Sequence, residues 1–240
     1  MFFLCALSNS ILNAFDQECS DSIRELQLSS MKMFVCPGTA ERGKLIHVLR
    51  ELALIDRDEE AANVCQWNGV ECNADGIIES ITWYSKDASN CSIQWLPPTI
   101  RNLDMRGVSF DIRNLDTRRL PRNVQICIFE MSDIQGTIEL RTLPNGLEVL
   151  NMEENQISGT VNLTRLPASM CRISMARNQI KKAIVSNSLL PCGLTIADFY
   201  QPCARVSVVC LDSKVVDQRV KVDLQRIKFN DERDMSTEIL

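Results

Sequence analysis

The dipeptide Leu-Pro recurs at Leu96-Pro97, Leu120-Pro121, Leu143-Pro144, Leu166-Pro167 and Leu190-Pro191, in steps of 24, 23, 23 and 24 residues. A fixed period of this size is the mark of a solenoid, whose units bury their apolar side only by stacking on one another. Such a chain presents an extended surface rather than enclosing a catalytic pocket.

The residues between the prolines form a ladder. In LPNGLEVLNMEENQISGTVNLTR (143–165) apolar residues fall at Leu147, Leu150, Met152, Ile157, Val161 and Leu163, with Asn155 between them. Val124, Cys127, Phe129, Ser132 and Ile134 hold the same places one unit earlier, and Ile100, Leu103, Met105, Val108 and Phe110 one before that. Met170, Ile173, Met175, Asn178 and Ile180 follow; Leu194, Ala197 and Phe199 begin a last unit, and Ile78, Ile81 and Trp83 a first. This L-x-x-L-x-L-x-x-N-x-L spacing is similar to that of the leucine-rich repeat. The expected fold class is therefore α/β: a right-handed leucine-rich repeat solenoid with a parallel concave sheet of about six short strands. Those strands should lie near Ile78, Ile100, Val124, Leu147, Met170 and Leu194, with an irregular convex side and a helical N-terminal cap. The L-x-L core alternates with period two, as a strand with one inward face does. Asn155 and Asn178 can satisfy backbone groups where the strand turns out of the sheet. Ser132 and Val108 replace that Asn, so their rungs should be less regular. Gly136 and Gly159 sit alike in neighbouring units, where a tight turn is expected.

The ends of a solenoid need atypical units that cover the exposed core. AERGKLIHVLRELALI (40–55) places Leu45, Val48, Leu49, Leu52 and Ile55 on one helical stripe. CQWNGVEC (65–72) follows, and then DGIIESITW, where the ladder starts. This order, with its C-x-W-x-G-V-x-C motif, resembles the N-terminal cap of plant-type extracellular leucine-rich repeat receptors. NQISGTV (155–161) is similar to their N-x-L-x-G-x-I signature. The resemblance implies a disulfide between Cys65 and Cys72 and a Trp67 that covers the first coil. The Leu-Pro leader departs from that family and is more similar to protist surface leucine-rich repeat proteins.

The chain divides into residues 1–19, read as a weak signal segment or disordered tail, an N-terminal cap over 20–77, repeats over 78–203, and a C-terminal cap with frayed tail over 204–240. FFLCAL is short for a signal core and no Lys or Arg precedes it, so a start near Met31 is the alternative. RVKVDLQRIKF (219–229) alternates like a strand that covers the end. The net charge of −5 and pI near 5.1 argue against a nucleic-acid partner. No stretch approaches the ~18 apolar residues of a membrane span. Of 11 cysteines, several concentrate at the two caps, which favours an oxidising compartment. The sequons at Asn90 and Asn162 point the same way, to a secreted or cell-surface protein.

Enzyme chemistry finds little footing. His47 is the single histidine, so neither a His-based triad nor a two-His zinc site can be built. The chain is expected to hold no metal and no cofactor. What remains is a binding module whose concave face offers one file of Thr82, Asp104, Ile128, Asn151, Ser174 and Asp198. A second file holds Tyr84, Arg106, Glu130, Glu153, Ala176 and Tyr200, with Met131 and Arg177 beside it. Tyr84 and Tyr200 are attractive because aromatics are enriched at binding hot spots, and Ile128 and Met131 are apolar where solvent is expected. A protein, peptide or glycan would be the ligand. The rival readings are an intracellular adaptor with reduced thiols and a structural repeat protein with no selected ligand.

GTAERGKL (38–45) is one residue short of a phosphate-binding loop, with Leu45 where Ser or Thr would hold magnesium. Calorimetric titration with magnesium and ATP or GTP should show no binding. Micromolar binding abolished by Lys44→Ala would overturn the reading of this stretch as the entry to a helix.

Overall fold

A computed structural model describes residues 22–37, 42–110, 112–202 and 204–222. The signal-like segment 1–19, residues 38–41 of the Gly-Lys stretch, Cys203 and everything beyond 222 lie outside the described residues. The chain winds as a β-solenoid of about six turns. Its larger sheet runs in the order β1 (Val70–Cys72), β2 (Ile78–Tyr84), β3 (Asn102–Arg106), β4 (Ile126–Ile128), β6 (Val149–Asn151), β8 (Arg172–Ser174), β10 (Ile196–Asp198) and β12 (Val220–Lys221). Only β1 against β2 is antiparallel; every later pair is parallel.

After β2 each strand starts two residues past the apolar residue that heads its unit, and the Leu-Pro pair explains the offset. One-turn 3₁₀ helices end just before Leu96, Leu120, Leu143 and Leu190. The proline has no N–H to continue such a helix. Its carbonyl instead accepts the amide three residues on, from Ile100, Val124, Leu147, Met170 and Leu194 in turn. That β-turn aims the chain into the sheet. Along the strands Leu103 and Met105, Cys127 and Phe129, Leu150 and Met152, Ile173 and Met175, and Ala197 and Phe199 point inward and are at most 1% exposed.

At the strand exit the backbone turns left-handed, at Ser85, Gly107, Met131, Glu154 and Arg177, with Asp133 a second such residue in the Met131 coil. The next residue closes the turn. The Asn155 carboxamide accepts the amides of Ser132 and Ile134 (both 3.0 Å) and donates to the carbonyls of Phe129, Met152 and Glu153. Asn178 repeats this toward Met152, Met175, Ala176 and the Ile157 amide. Ser132, expected to loosen its rung, keeps part of the function: its hydroxyl donates to Met105 and Glu130 carbonyls. Gln201 continues the series one coil on, toward Met175, Phe199 and the Asn178 amide.

The opposite side departs from expectation. In place of an irregular surface, β5 (Gln135–Gly136), β7 (Gln156–Asn162), β9 (Gln179–Val185) and β11 (Ser207–Cys210) form a second parallel sheet. Ile157 and Val161 on β7, and Ile180 and Ala183 on either side of a bulge at Lys181 in β9, point inward and fill the space between the sheets. Gly136 has φ +82°, and a Cβ there would meet Asn114 Oδ1 at 2.2 Å, so both conformation and space require glycine.

Two helices lie at the N-terminal side, α1 over residues 22–35 and α2 (Arg42–Glu51). The apolar periodicity over 40–55 overstates α2. Ala53 is left-handed, with Leu54 N bonded to Leu49 O and Ala53 N to Arg50 O, a Schellman ending that stops the helix while Leu54 and Ile55 stay buried. α1 is docked by Gln27, which accepts from the Ile78 amide (2.7 Å) and donates to Gly76 O, and by Phe34 stacked on Trp83. Cys65 and Cys72 are joined in a disulfide. Trp67 beside it is buried and donates to Glu60 O.

Leu150→Ala should cost about 2–5 kcal/mol in denaturant melts, because the cavity lies between two sheets that cannot collapse onto it. Asn155→Leu keeps the volume but strands several buried backbone groups, and should cost at least about 3 kcal/mol. A loss under ~1 kcal/mol would show that water replaces the carboxamide.

Candidate binding face

Strand register determines which side chains share the outer face of the larger sheet. Thr82 pairs with Asp104, Asp104 with Ile128, Ile128 with Asn151, Asn151 with Ser174, and Ser174 with Asp198. The first expected file is therefore one continuous row, and Lys221 on β12 extends it past Asp198. The second file also holds its order. The carbonyls of Arg106, Glu130, Glu153, Ala176 and Tyr200 accept in turn from Ser85, Gly107, Met131, Glu154 and Arg177. Tyr84 to Tyr200 spans five strand spacings, roughly 24 Å.

Exposure differs from the expectation at several places. Ile128, read as apolar and open to solvent, is only 4% exposed, and Asp104, Ser174 and Ala176 are likewise buried. The row is tight because each member has a register neighbour one strand spacing away on both sides, Asp104 and Asn151 in the case of Ile128. Met131 and Tyr84 are open, at 56% and 53% exposed, and Arg177 is exposed as well. Thr82, Arg106, Glu130, Asn151, Glu153, Asp198 and Tyr200 are half-buried.

Two polar clusters result. Toward the N-terminal side Arg106 grips Asp104 with Nε (3.0 Å) and Nη2 (2.7 Å), while the Tyr84 hydroxyl donates to the same carboxylate (3.3 Å). The Arg106 guanidinium lies 5.5 Å from the Tyr84 ring centre, within cation–π reach. Burial and the Asp104 charge raise the Tyr84 hydroxyl above its ordinary value, and the Asp104 hydrogen bond raises Arg106. The centre is acidic. Glu130 accepts from Asn151 Nδ2 (3.3 Å), Glu153 meets the Ser174 hydroxyl, and Arg177 pairs with Glu154. Burial and then the Glu153 charge push the Glu130 carboxyl up. Asn151 and Asp198 each accept the amide two residues on, 2.9 Å from Glu153 N and Tyr200 N. They thereby hold the strand ends as well as facing outward. Burial raises Asp198.

These groups are tied to one another by hydrogen bonds and ion pairs. Among the described residues no group of His, Cys, Asp and Glu is placed to hold a metal. No described helix is long and apolar enough to cross a membrane. His47 is exposed beside Glu51, and Lys44 is exposed on α2. Of the sequons, Asn90 stands on an exposed turn, whereas Asn162 ends β7 half-buried, with Oδ1 accepting from Thr164. Gln201 and Lys221 escaped the sequence reading. A 23-residue step from Asn178 leads to Gln201, but a Gln there breaks the Asn pattern.

The raised Glu130 carboxyl fixes a sign. A carboxyl whose folded pKa exceeds its unfolded value costs stability above the folded pKa, and the cost vanishes below the unfolded one. Glu130→Gln should therefore raise the unfolding midpoint at pH 7, with the gain shrinking as pH falls through the carboxylate range. A gain that persists at low pH would assign it to something other than charge.

No known protein family, curated protein or solved structure matches this chain.

Proposed function

We propose that this chain is a non-enzymatic leucine-rich repeat binding module, secreted or displayed at a cell surface, with α1, α2 and the Cys65–Cys72 loop as its N-terminal cap. Its ligand is a protein, peptide or glycan held on the outer face of the larger sheet. The observation that carries this reading is the register alignment of successive parallel strands, which sets the half-buried polar side chains of Arg106, Glu130, Asn151 and Glu153 between Tyr84 and Tyr200. A face of this kind meets an extended ligand with hydrogen-bonding groups at a regular spacing and aromatic surface at both ends. The disulfide supports an oxidising compartment, where such bonds persist.

Exposed thiols at Cys171 and Cys192 favour a second reading, an intracellular adaptor. Alkylation of protein from its native source before reduction separates the two, since alkylation of both Cys65 and Cys72 would exclude the secreted form.

Binding should be screened on a glycan array and a displayed library of linear peptides. Selected ligands should lose about tenfold or more in affinity with Tyr84→Ala or Tyr200→Ala. Thr160→Ala, exposed on the smaller sheet, should leave them unchanged. Ligands indifferent to both tyrosines, or no selected ligand at all, would overturn the reading.

A further inference from the structure

The chain contains two Asn-Gly pairs, Asn68-Gly69 and Asn145-Gly146. An asparagine before glycine is chemically vulnerable, because glycine has no Cβ to shield its backbone nitrogen from the neighbouring carboxamide. Whether that nitrogen reaches the side-chain carbon depends on how the backbone is held, and the fold holds the two pairs differently. Asn68 is clamped. Its Nδ2 donates to Ala53 O (3.2 Å) and its amide to Leu54 O (2.7 Å). Gly69 has φ +77°, and its carbonyl accepts from Thr82 N (2.7 Å). A Cβ on Gly69 would meet Thr82 O at 2.1 Å, so this backbone is pressed against β2, inside the Cys65–Cys72 loop. Swinging the Gly69 nitrogen toward the Asn68 side chain would break these bonds.

Asn145 and Gly146 are the central residues of the β-turn that starts at Pro144, and both are exposed. One backbone bond, Leu147 N to Pro144 O at 3.1 Å, closes the turn. Among the described residues neither the Asn145 carboxamide nor the Gly146 N–H has a hydrogen-bond partner. A Cβ on Gly146 would meet nothing within 4 Å, so the turn is open on that side. The Ser169 hydroxyl of the next coil reaches the carbonyl oxygens of Asn145 (2.9 Å) and Leu147 (2.8 Å). The Asn145 oxygen carries the negative charge when the Asn145–Gly146 peptide loses its proton, so a donor there favours the attacking form of the nitrogen.

We propose that Asn145 is a site of spontaneous modification in the folded chain, converting through a cyclic imide to aspartate and isoaspartate while Asn68 stays intact. The Gly146 nitrogen gives its proton to solvent and attacks Asn145 Cγ. The N–Cγ bond forms, the Cγ–Nδ2 bond breaks, and Nδ2 leaves as ammonia with a proton taken from water. Water then opens the five-membered imide. Cleavage between the nitrogen and Cγ gives aspartate; cleavage between the nitrogen and the main-chain carbonyl carbon gives isoaspartate. The net change is water in and ammonia out, with no oxidant or reductant. The turn gains a carboxylate, and the isoaspartate form also gains a backbone carbon, just before Leu147, which is fully buried. The modification therefore falls where the chain is aimed into β6.

The inference does not depend on what the sheet face binds, since its readout is a peptide mass. The full chain, with Cys65–Cys72 intact, is held at physiological temperature and mildly alkaline pH and sampled over time by peptide mapping. A second sample is kept reduced in denaturant. In the folded chain the mass gain of an amide turned acid should accumulate at Asn145, with the isoaspartyl and aspartyl peptides eluting apart, while Asn68 keeps its amide. In denaturant both sites should convert. Gly146→Ala places its Cβ in free space, so the fold is kept, and it should stop the gain at Asn145 over the same period. A folded chain in which Asn68 converts as fast as Asn145 would overturn the proposal. So would an Asn145 still intact when the denatured chain has converted, or a Gly146→Ala variant that converts at the original rate.

Discussion

Everything regular about this molecule rests on a backbone problem solved once per coil. A strand that must leave the sheet inside a stack exposes amides and carbonyls to an apolar interior, where each unpaired group costs on the order of 1–3 kcal/mol. The carboxamides of Asn155 and Asn178 answer it by bonding two neighbouring coils at once. The left-handed residue just before each of them gives the chain its change of direction. An amide that bridges two coils also fixes their offset. Sideways slip of one coil would break its bonds on both sides.

That fixed offset is what makes the outer face a surface with order. Side chains 22 to 24 residues apart in sequence become neighbours at one strand spacing, so Thr82 through Asp198 form a row. The electrostatics along it are graded: a paired cation and an aromatic at Arg106 and Tyr84, and a centre at Glu130 and Glu153 where like charges sit close. Local pairing sets the grade. Asp104 is paired directly with Arg106, whereas Glu130 accepts from the Asn151 amide and feels the Arg106 charge without forming an ion pair with it.

The N-terminal side obeys different chemistry because a first coil has no predecessor. Phe34 of α1 stacks on Trp83 of the first coil, Trp67 is buried nearby, and the short Cys65–Cys72 loop holds the entry to β1. β1 runs antiparallel to β2, so it ends the sheet without offering the parallel edge that a further coil would need. In the interior, repetition supplies stability; here, the Cys65–Cys72 crosslink and aromatic packing substitute for it.

By itself the sequence determined the repeat length, the strand positions, the register of both outward files and the identity of the turn-closing Asn155 and Asn178. Each of these is set by local alternation and by residue chemistry that recurs with the period. Only the tertiary structure decided the rest. The helix α1, docked through Gln27 some fifty residues ahead of its partner Ile78, lies outside the 23–24-residue repeat. The second sheet arose because short strands on the far side found parallel partners one coil away, which no single unit encodes. Ile128 disappeared from solvent although alternation turns it outward, because coverage is decided by the side chains of the flanking coils. Periodicity reports the direction in which a side chain leaves its own backbone; what closes over it belongs to neighbours distant in sequence.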